Sequence, residues 1–121
     1  MFKLTCHCKS FEASINLKKL EKKIRCNCSI CRRKGAIMSM VKNEDFNIIK
    51  GKENLVLYKF HSKVANHFFC SKCGIYTHHN PRSNPSMTGF NLGCIDEINT
   101  FELDKIDVLD GQNHPLDNKK K

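Results

Sequence analysis

Cys26-Asn27-Cys28-Ser29-Ile30-Cys31 places three thiols within six residues. One residue separates the first two and two residues separate the last two, so all three side chains can turn toward one point. A zinc ion takes four ligands in a tetrahedron, and thiolate sulfur is among those it favours. Three protein ligands leave one corner open, the arrangement of a metal that binds something rather than only bracing a fold. Working outward, the chain offers two further thiol pairs, in Cys6-His7-Cys8 and in Cys70-Ser71-Lys72-Cys73-Gly74. The second reads as a zinc knuckle, two thiols followed by a glycine where the backbone must turn back.

Eight cysteines in 121 residues point to either a disulfide scaffold or a metal protein. Spacing favours metal. Cys6 and Cys8, or Cys26 and Cys28, would close a strained small ring if oxidised to each other, whereas closely spaced thiols readily converge on an ion. The first six residues hold no apolar run of signal-peptide length, and no window approaches the roughly 18 apolar residues of a membrane span. The expectation is one domain over residues 1–121, in a reducing compartment such as the cytoplasm, away from membranes, with residues 116–121 a frayed tail.

The formal charge of +9 is unevenly placed. Residues 1–34 carry ten Lys or Arg against Glu12 and Glu21, while residues 95–121 are net acidic. A basic half attracts nucleic acid, anionic lipid or an anionic small substrate, or is simply a solvated surface. No RNP-type or helix-turn-helix pattern accompanies it, and no aromatics interleave with it, which argues against nucleic acid.

Short alternating or apolar runs at residues 2–6, 11–17, 36–41, 46–49, 55–60, 67–70, 75–78 and 87–92 read as strands. Residues 18–23 read as a basic turn or short helical stretch around Leu20, and residues 79–85 as a proline-marked loop. In the acidic tail, Phe101, Leu103, Ile106, Val108 and Leu109 are placed to pack back on the core. The absence of a long helical period argues an all-β fold.

Cys6, Cys8, Cys70 and Cys73 make one complete tetrahedron that would staple the N-terminal strands to the middle of the chain. Spacing equally allows Cys70 and Cys73 to pair with two of the central thiols, or a single zinc to serve. The fourth corner of the Cys26, Cys28, Cys31 site is open to water, a small thiol, Cys94, or one of His7, His61, His67, His78 and His79. A lone histidine is more often a surface or packed residue, and Cys94 reads as a buried small hydrophobe.

Taken in order, Cys6-His7-Cys8, residues 26–32, Phe69-Cys70-Ser71-Lys72-Cys73-Gly74, Asn91-Leu92-Gly93-Cys94-Ile95-Asp96 and Asp110-Gly111-Gln112-Asn113-His114-Pro115 resemble the glutathione-dependent formaldehyde-activating enzymes and the related centromere protein V domain. Lys9 stands where many members have glycine. The resemblance implies a β-tent of short antiparallel strands, a structural zinc on Cys6, Cys8, Cys70 and Cys73, and a second zinc on Cys26, Cys28 and Cys31. It implies a carbon–sulfur lyase that joins glutathione, or a similar small thiol, to formaldehyde or another small aldehyde as an S-hydroxymethyl adduct. Arg25, Arg32, Arg33 and Arg82 are candidates to meet anionic glutathione, and no motif identifies a general acid or base. The alternative readings are a non-catalytic zinc-containing thiol-binding module and a nucleic-acid or cytoskeletal module.

Overall fold

Alternation sets the first pairing. Strand β1 (Phe2–Thr5) runs antiparallel to β2 (Glu12–Ile15), and the register Phe2↔Ile15 and Leu4↔Ala13 puts their apolar residues on one face. Strand β5 (Phe46–Lys50) completes a three-stranded sheet in the order β1-β2-β5. The computed structural model describes residues 1–60 and 64–111. His61, the Gln112-Asn113-His114-Pro115 end of the family-like motif and the tail from 116 lie outside the described residues.

The second sheet has seven strands. These are β3 (Ile24–Cys26), β4 (Met38–Lys42), β6 (Leu55–Tyr58), β7 (Asn66–Cys70), β8 (Tyr76–Asn80), β9 (Met87–Asn91) and β10 (Asp107–Leu109). Their order is β10-β3-β4-β9-β8-β7-β6, antiparallel except for the β10–β3 pair. The all-β expectation holds. One buried cluster draws on both sheets, with Leu4, Phe11, Ala13, Ile15, Val41, Phe90 and Leu92 among its members. Each large apolar side chain fully buried there contributes about 1.5–3 kcal/mol. No described helix is long and apolar enough to cross a membrane.

Several local expectations are corrected. A short helix α1 (Ser29–Lys34) follows the central thiols. It starts where the Cys31 N–H donates to Cys28 Sγ, so a cysteine takes the capping role usually filled by Ser, Thr, Asp or Asn. It stops at Gly35, whose φ of +66° is the left-handed C-cap that glycine adopts without penalty. Of the two readings for residues 18–23, a turn or a short helical stretch, the helical one fails: the chain bends at residues 18 and 19 and forms no helix there. His79 and Asn80 belong to β8 rather than a loop, because Asn80 pairs with Asn66 across to β7. In the tail, Leu103 packs on the core, but Phe101 is 98% exposed and Val108 and Leu109 face solvent. What orders that segment is backbone pairing, not apolar burial: β10 lies parallel to β3 with Leu109 opposite Cys26.

Candidate functional site

Two groups of thiols converge. The first joins the turn after β1 to the knuckle at the end of β7. The Lys9 N–H donates to the Cys6 carbonyl, and Lys9 sits at φ +64°, a left-handed conformation that explains why glycine suits this position. At the knuckle, the Gly74 N–H donates to the Cys70 carbonyl with Gly74 at φ +76°. The sulfurs of Cys6, Cys8, Cys70 and Cys73 lie within 4.8 Å of one another, a group that could hold a metal ion. Cys6 and Cys8 are 3.6 Å apart and Cys8 and Cys70 3.7 Å. Tetrahedral zinc with Zn–S bonds of about 2.3 Å requires S···S separations of about 3.8 Å, so the donor set fits zinc.

Ser10 is a residue that spacing arguments missed. Its hydroxyl lies 3.1 Å from Cys8 Sγ and 3.3 Å from Cys70 Sγ, placed to donate to thiolates. That hydroxyl is the main cause holding the Cys8 pKa down. For Cys70, burial pushes upward, but Ser10 and the N–H groups of Cys73 and Lys72 outweigh it and bring the pKa to about 6. Burial raises Cys6.

The second group is Cys26, Cys28 and Cys31, again with sulfurs within 4.8 Å of one another. Cys26 ends β3, Cys28 caps α1 and Cys31 lies in its first turns. All three are half-buried. Among the described residues no fourth Cys, His, Asp or Glu joins them. Cys94 is buried in the core with its thiol 3.7 Å from the Tyr76 carbonyl, and burial pushes its pKa to about 12, in keeping with a small hydrophobe. His78 stacks among Phe11, Phe46 and Phe68, and its Nδ1 pairs with the Thr77 hydroxyl. His7 is exposed. The three thiols share charge unequally: the Cys31 hydrogen bond lowers Cys28 to about 5, while the same bond raises Cys31 and burial raises Cys26.

The C-terminal strand closes over this group. The Asn27 N–H donates to the Leu109 carbonyl at 3.1 Å, and Asn27 Nδ2 donates to Asp110 Oδ1 at 3.1 Å. Gly111 then passes so near that a Cβ there would stand 2.7 Å from Cys28 Cβ and closer still to Cys26 Sγ.

The triad faces a cavity of about 990 Å³. Arg32 and Arg82 line it, as expected of groups that could meet an anion; Arg25 and Arg33 do not. Arg25 is exposed on β3, and Arg33 Nη1 donates to the Ser29 carbonyl within α1. Sequence reasoning missed Lys34, and rated His67 and His79 only as lone ligand candidates, yet all three line the cavity. Strand pairing sets His67 opposite His79, with their rings stacked at 5.7 Å. His67 Nδ1 is hydrogen-bonded to the Tyr76 hydroxyl. Lys34 Nζ lies 3.6 Å from the centre of the Tyr76 ring, within cation–π range. Burial lowers His67 to about 4 and His79 to about 3, with the Lys34 charge adding to both. Burial also lowers Lys34, while the three thiols work the other way.

Residues 1–107 match the model of a family described as glutathione-dependent formaldehyde-activating enzyme. A crystal structure of a Rhodobacter sphaeroides protein is 41% identical in sequence. Its match covers 88% of this chain and 99% of that chain, with a TM-score of 0.84.

Proposed function

The chain belongs to the glutathione-dependent formaldehyde-activating enzyme family, and from that premise we propose that it joins glutathione, or a similar small thiol, to formaldehyde at a zinc held by Cys26, Cys28 and Cys31. Cys6, Cys8, Cys70 and Cys73 hold a second, structural zinc. The reaction class is that of a carbon–sulfur lyase, run in either direction, and the compartment is a reducing one such as the cytoplasm.

The observation that carries this reading is a contrast between the two thiol groups. The first supplies four sulfurs at tetrahedral spacing, a closed set. The second supplies three and opens on the cavity, which has room for a tripeptide. Zinc bound there supplies a lowered thiol pKa, and so a thiolate nucleophile at neutral pH. The protein's own side chains account for the rest. Arg32 and Arg82 sit on the cavity wall, where they suit the carboxylates of glutathione. Met38, Met40 and Phe60 give it an apolar flank that limits water around the reacting carbon. In the addition, the thiol sulfur forms a bond to the aldehyde carbon and the carbonyl π pair moves to oxygen. The proton released by the thiol ends on that oxygen, and nothing is oxidised or reduced.

Thiols add to formaldehyde unaided, so the test is acceleration over that background. Exchange NMR on glutathione and formaldehyde at equilibrium, with and without catalytic amounts of zinc-loaded protein, reads the interconversion rate directly. Saturable acceleration that disappears in Cys28→Ser is the expected result. Binding of glutathione with an unchanged rate would replace the enzyme by a carrier, and absence of both would end the reading.

A further inference from the structure

Three basic residues end α1, and only the last of them turns inward. Arg32 and Arg33 are exposed, whereas the Lys34 ammonium is buried, closed off from water. A buried charge is costly unless an opposite charge lies at hand. Among the described residues no oxygen or nitrogen accepts a hydrogen bond from Lys34 Nζ, and neither ion pair there involves it. The Tyr76 ring lies 3.6 Å away and is itself held by the bond between its hydroxyl and His67. A ring face attracts the ammonium but brings no counter-charge.

What meets the ammonium is sulfur. Lys34 follows Cys31 by three residues on α1, and helical side chains lean back toward the N-terminus, so its stem passes over the Cys31 turn. There Lys34 Nζ is hydrogen-bonded to the Cys31 thiol, and the negative charges that act on it are those of Cys31, Cys28 and Cys26. Charge counting shows what this does for a metal. Three thiolates on a divalent cation leave one surplus negative charge, and a fourth thiolate makes it two. In a half-buried site each uncompensated charge is costly, and a fixed ammonium offsets one of them. Water and imidazole are neutral and add none. A cation here therefore favours an anionic sulfur over a neutral ligand at the open corner, without touching that ligand.

We propose that Lys34 is the counter-ion of the three-thiol metal centre: its buried ammonium, bonded to Cys31, offsets the charge of the thiolates and biases the open position toward an anionic sulfur ligand. Lys34 is thus a positioning residue, acting through Cys31 and through its charge. Its stem lines the cavity, but Nζ is closed off and does not anchor what binds there. This rests on the reading of Cys26, Cys28 and Cys31 as a zinc site and adds what makes a thiolate tolerable as its fourth ligand.

The test replaces zinc by cobalt(II), whose absorption changes visibly when a ligand is exchanged. Wild type, Lys34→Met and Lys34→Arg, each with both metal sites filled, are titrated with 2-mercaptoethanol, a thiol with no carboxylate, and with imidazole. Chelator competition gives the metal affinity, and a melting temperature is taken on each protein. Lys34→Met should hold the metal of the three-thiol group at least about tenfold more weakly than wild type. At full loading it should also bind 2-mercaptoethanol at least about tenfold more weakly, as loss of a charge-assisted hydrogen bond requires, with imidazole binding within about twofold. Lys34→Arg should recover most of both losses. Equal weakening for thiol and imidazole would make Lys34 a packing residue and overturn the proposal, as would an unchanged thiol affinity. Should Lys34→Met fail to fold, Lys34→Gln keeps a hydrogen-bond donor without the charge, and the same two outcomes overturn the proposal there. A wild type that takes up a single metal, or both metals but no thiol, refutes the reading of the site on which this rests, and the proposal with it.

Discussion

A single methyl group at Gly111 tests how tightly the C-terminal strand is fitted to the three-thiol group. In Gly111→Ala the new Cβ would stand 2.7 Å from Cys28 Cβ and 3.2 Å from Cys28 N, and nearer still to Cys26 Sγ. Carbon–carbon contacts settle at about 3.5–4.0 Å. Something must therefore retreat by about 1 Å. Without metal the thiols can splay and absorb most of this. With metal bound they cannot, because ligand distances hold to about 0.2 Å. The strain is thus concentrated in the metal-bound state, or else β10 lifts from β3 and gives up its few hydrogen bonds. Overpacking of this kind costs about 1–3 kcal/mol, and a bond of the β10–β3 ladder about 1 kcal/mol. The zinc of the three-thiol group should therefore bind roughly 5- to 100-fold more weakly, taking 1.4 kcal/mol per tenfold. The ion on Cys6, Cys8, Cys70 and Cys73 should be untouched. Competition against a chromophoric chelator resolves the two ions as separate phases, and hydrogen exchange at the Asn27 amide reports whether β10 has lifted. Unchanged affinity in the weaker phase together with unchanged exchange at Asn27 would refute the close approach on which this rests.

Graded chelation of the wild-type protein should remove one zinc while the fold persists and the second only with unfolding; simultaneous loss, followed by far-UV circular dichroism, would contradict the division into open and closed sites. Lys9→Gly should stabilise the protein by about 0.5–1 kcal/mol, because Lys9 holds φ +64°. A melting temperature that fails to rise by a few degrees would count against strain at that turn. His78, 5% exposed among three phenylalanines, has its pKa lowered by burial from 6.5 to about 4. The unfolded chain then binds more protons between those values, so its contribution is present above pH 6.5 and lost as pH falls through about 4. The full span is on the order of 3 kcal/mol. Urea midpoints at saturating zinc should fall from pH 7 to pH 5 less steeply in His78→Phe than in wild type, and parallel trends would refute the assignment.

Most of the strands and the thiol pairs within each motif were legible in the sequence because each rests on short-range pattern; β3 carries none, and spacing left open which thiol pairs join, a choice that only the family resemblance made. Leu4, Ala13 and Ile15 announce their faces by alternation, and Cys70 to Gly74 carries its own turn. Helix α1 was hidden because it is six residues long, has no buried residue to give it a period, and is capped by a thiol. Strand β10 was hidden because a three-residue parallel pairing leaves no local signature, and its exposed Val108 and Leu109 read as core. The cavity cluster was hidden for a different reason. His67 and His79 meet through strand register, and Lys34 reaches Tyr76 from another element, so neither pairing exists until the sheet is built. The same holds for Ser10, whose hydroxyl meets Cys70 across 60 residues of chain.

The pairing of β10 with β3 also carries a kinetic consequence. Asn27 and Asp110 are 83 residues apart, and the strand they flank buries none of its three side chains. A contact of that span recovers little energy for the loop it closes, so it belongs after the rate-limiting barrier of folding rather than before it. Substitutions that loosen β10 should then speed unfolding and leave the folding rate nearly unchanged, with φ-values close to zero. The wall that completes the cavity is in this sense the last part assembled and the first released, while the sheets and the four-thiol knot beneath it stay intact.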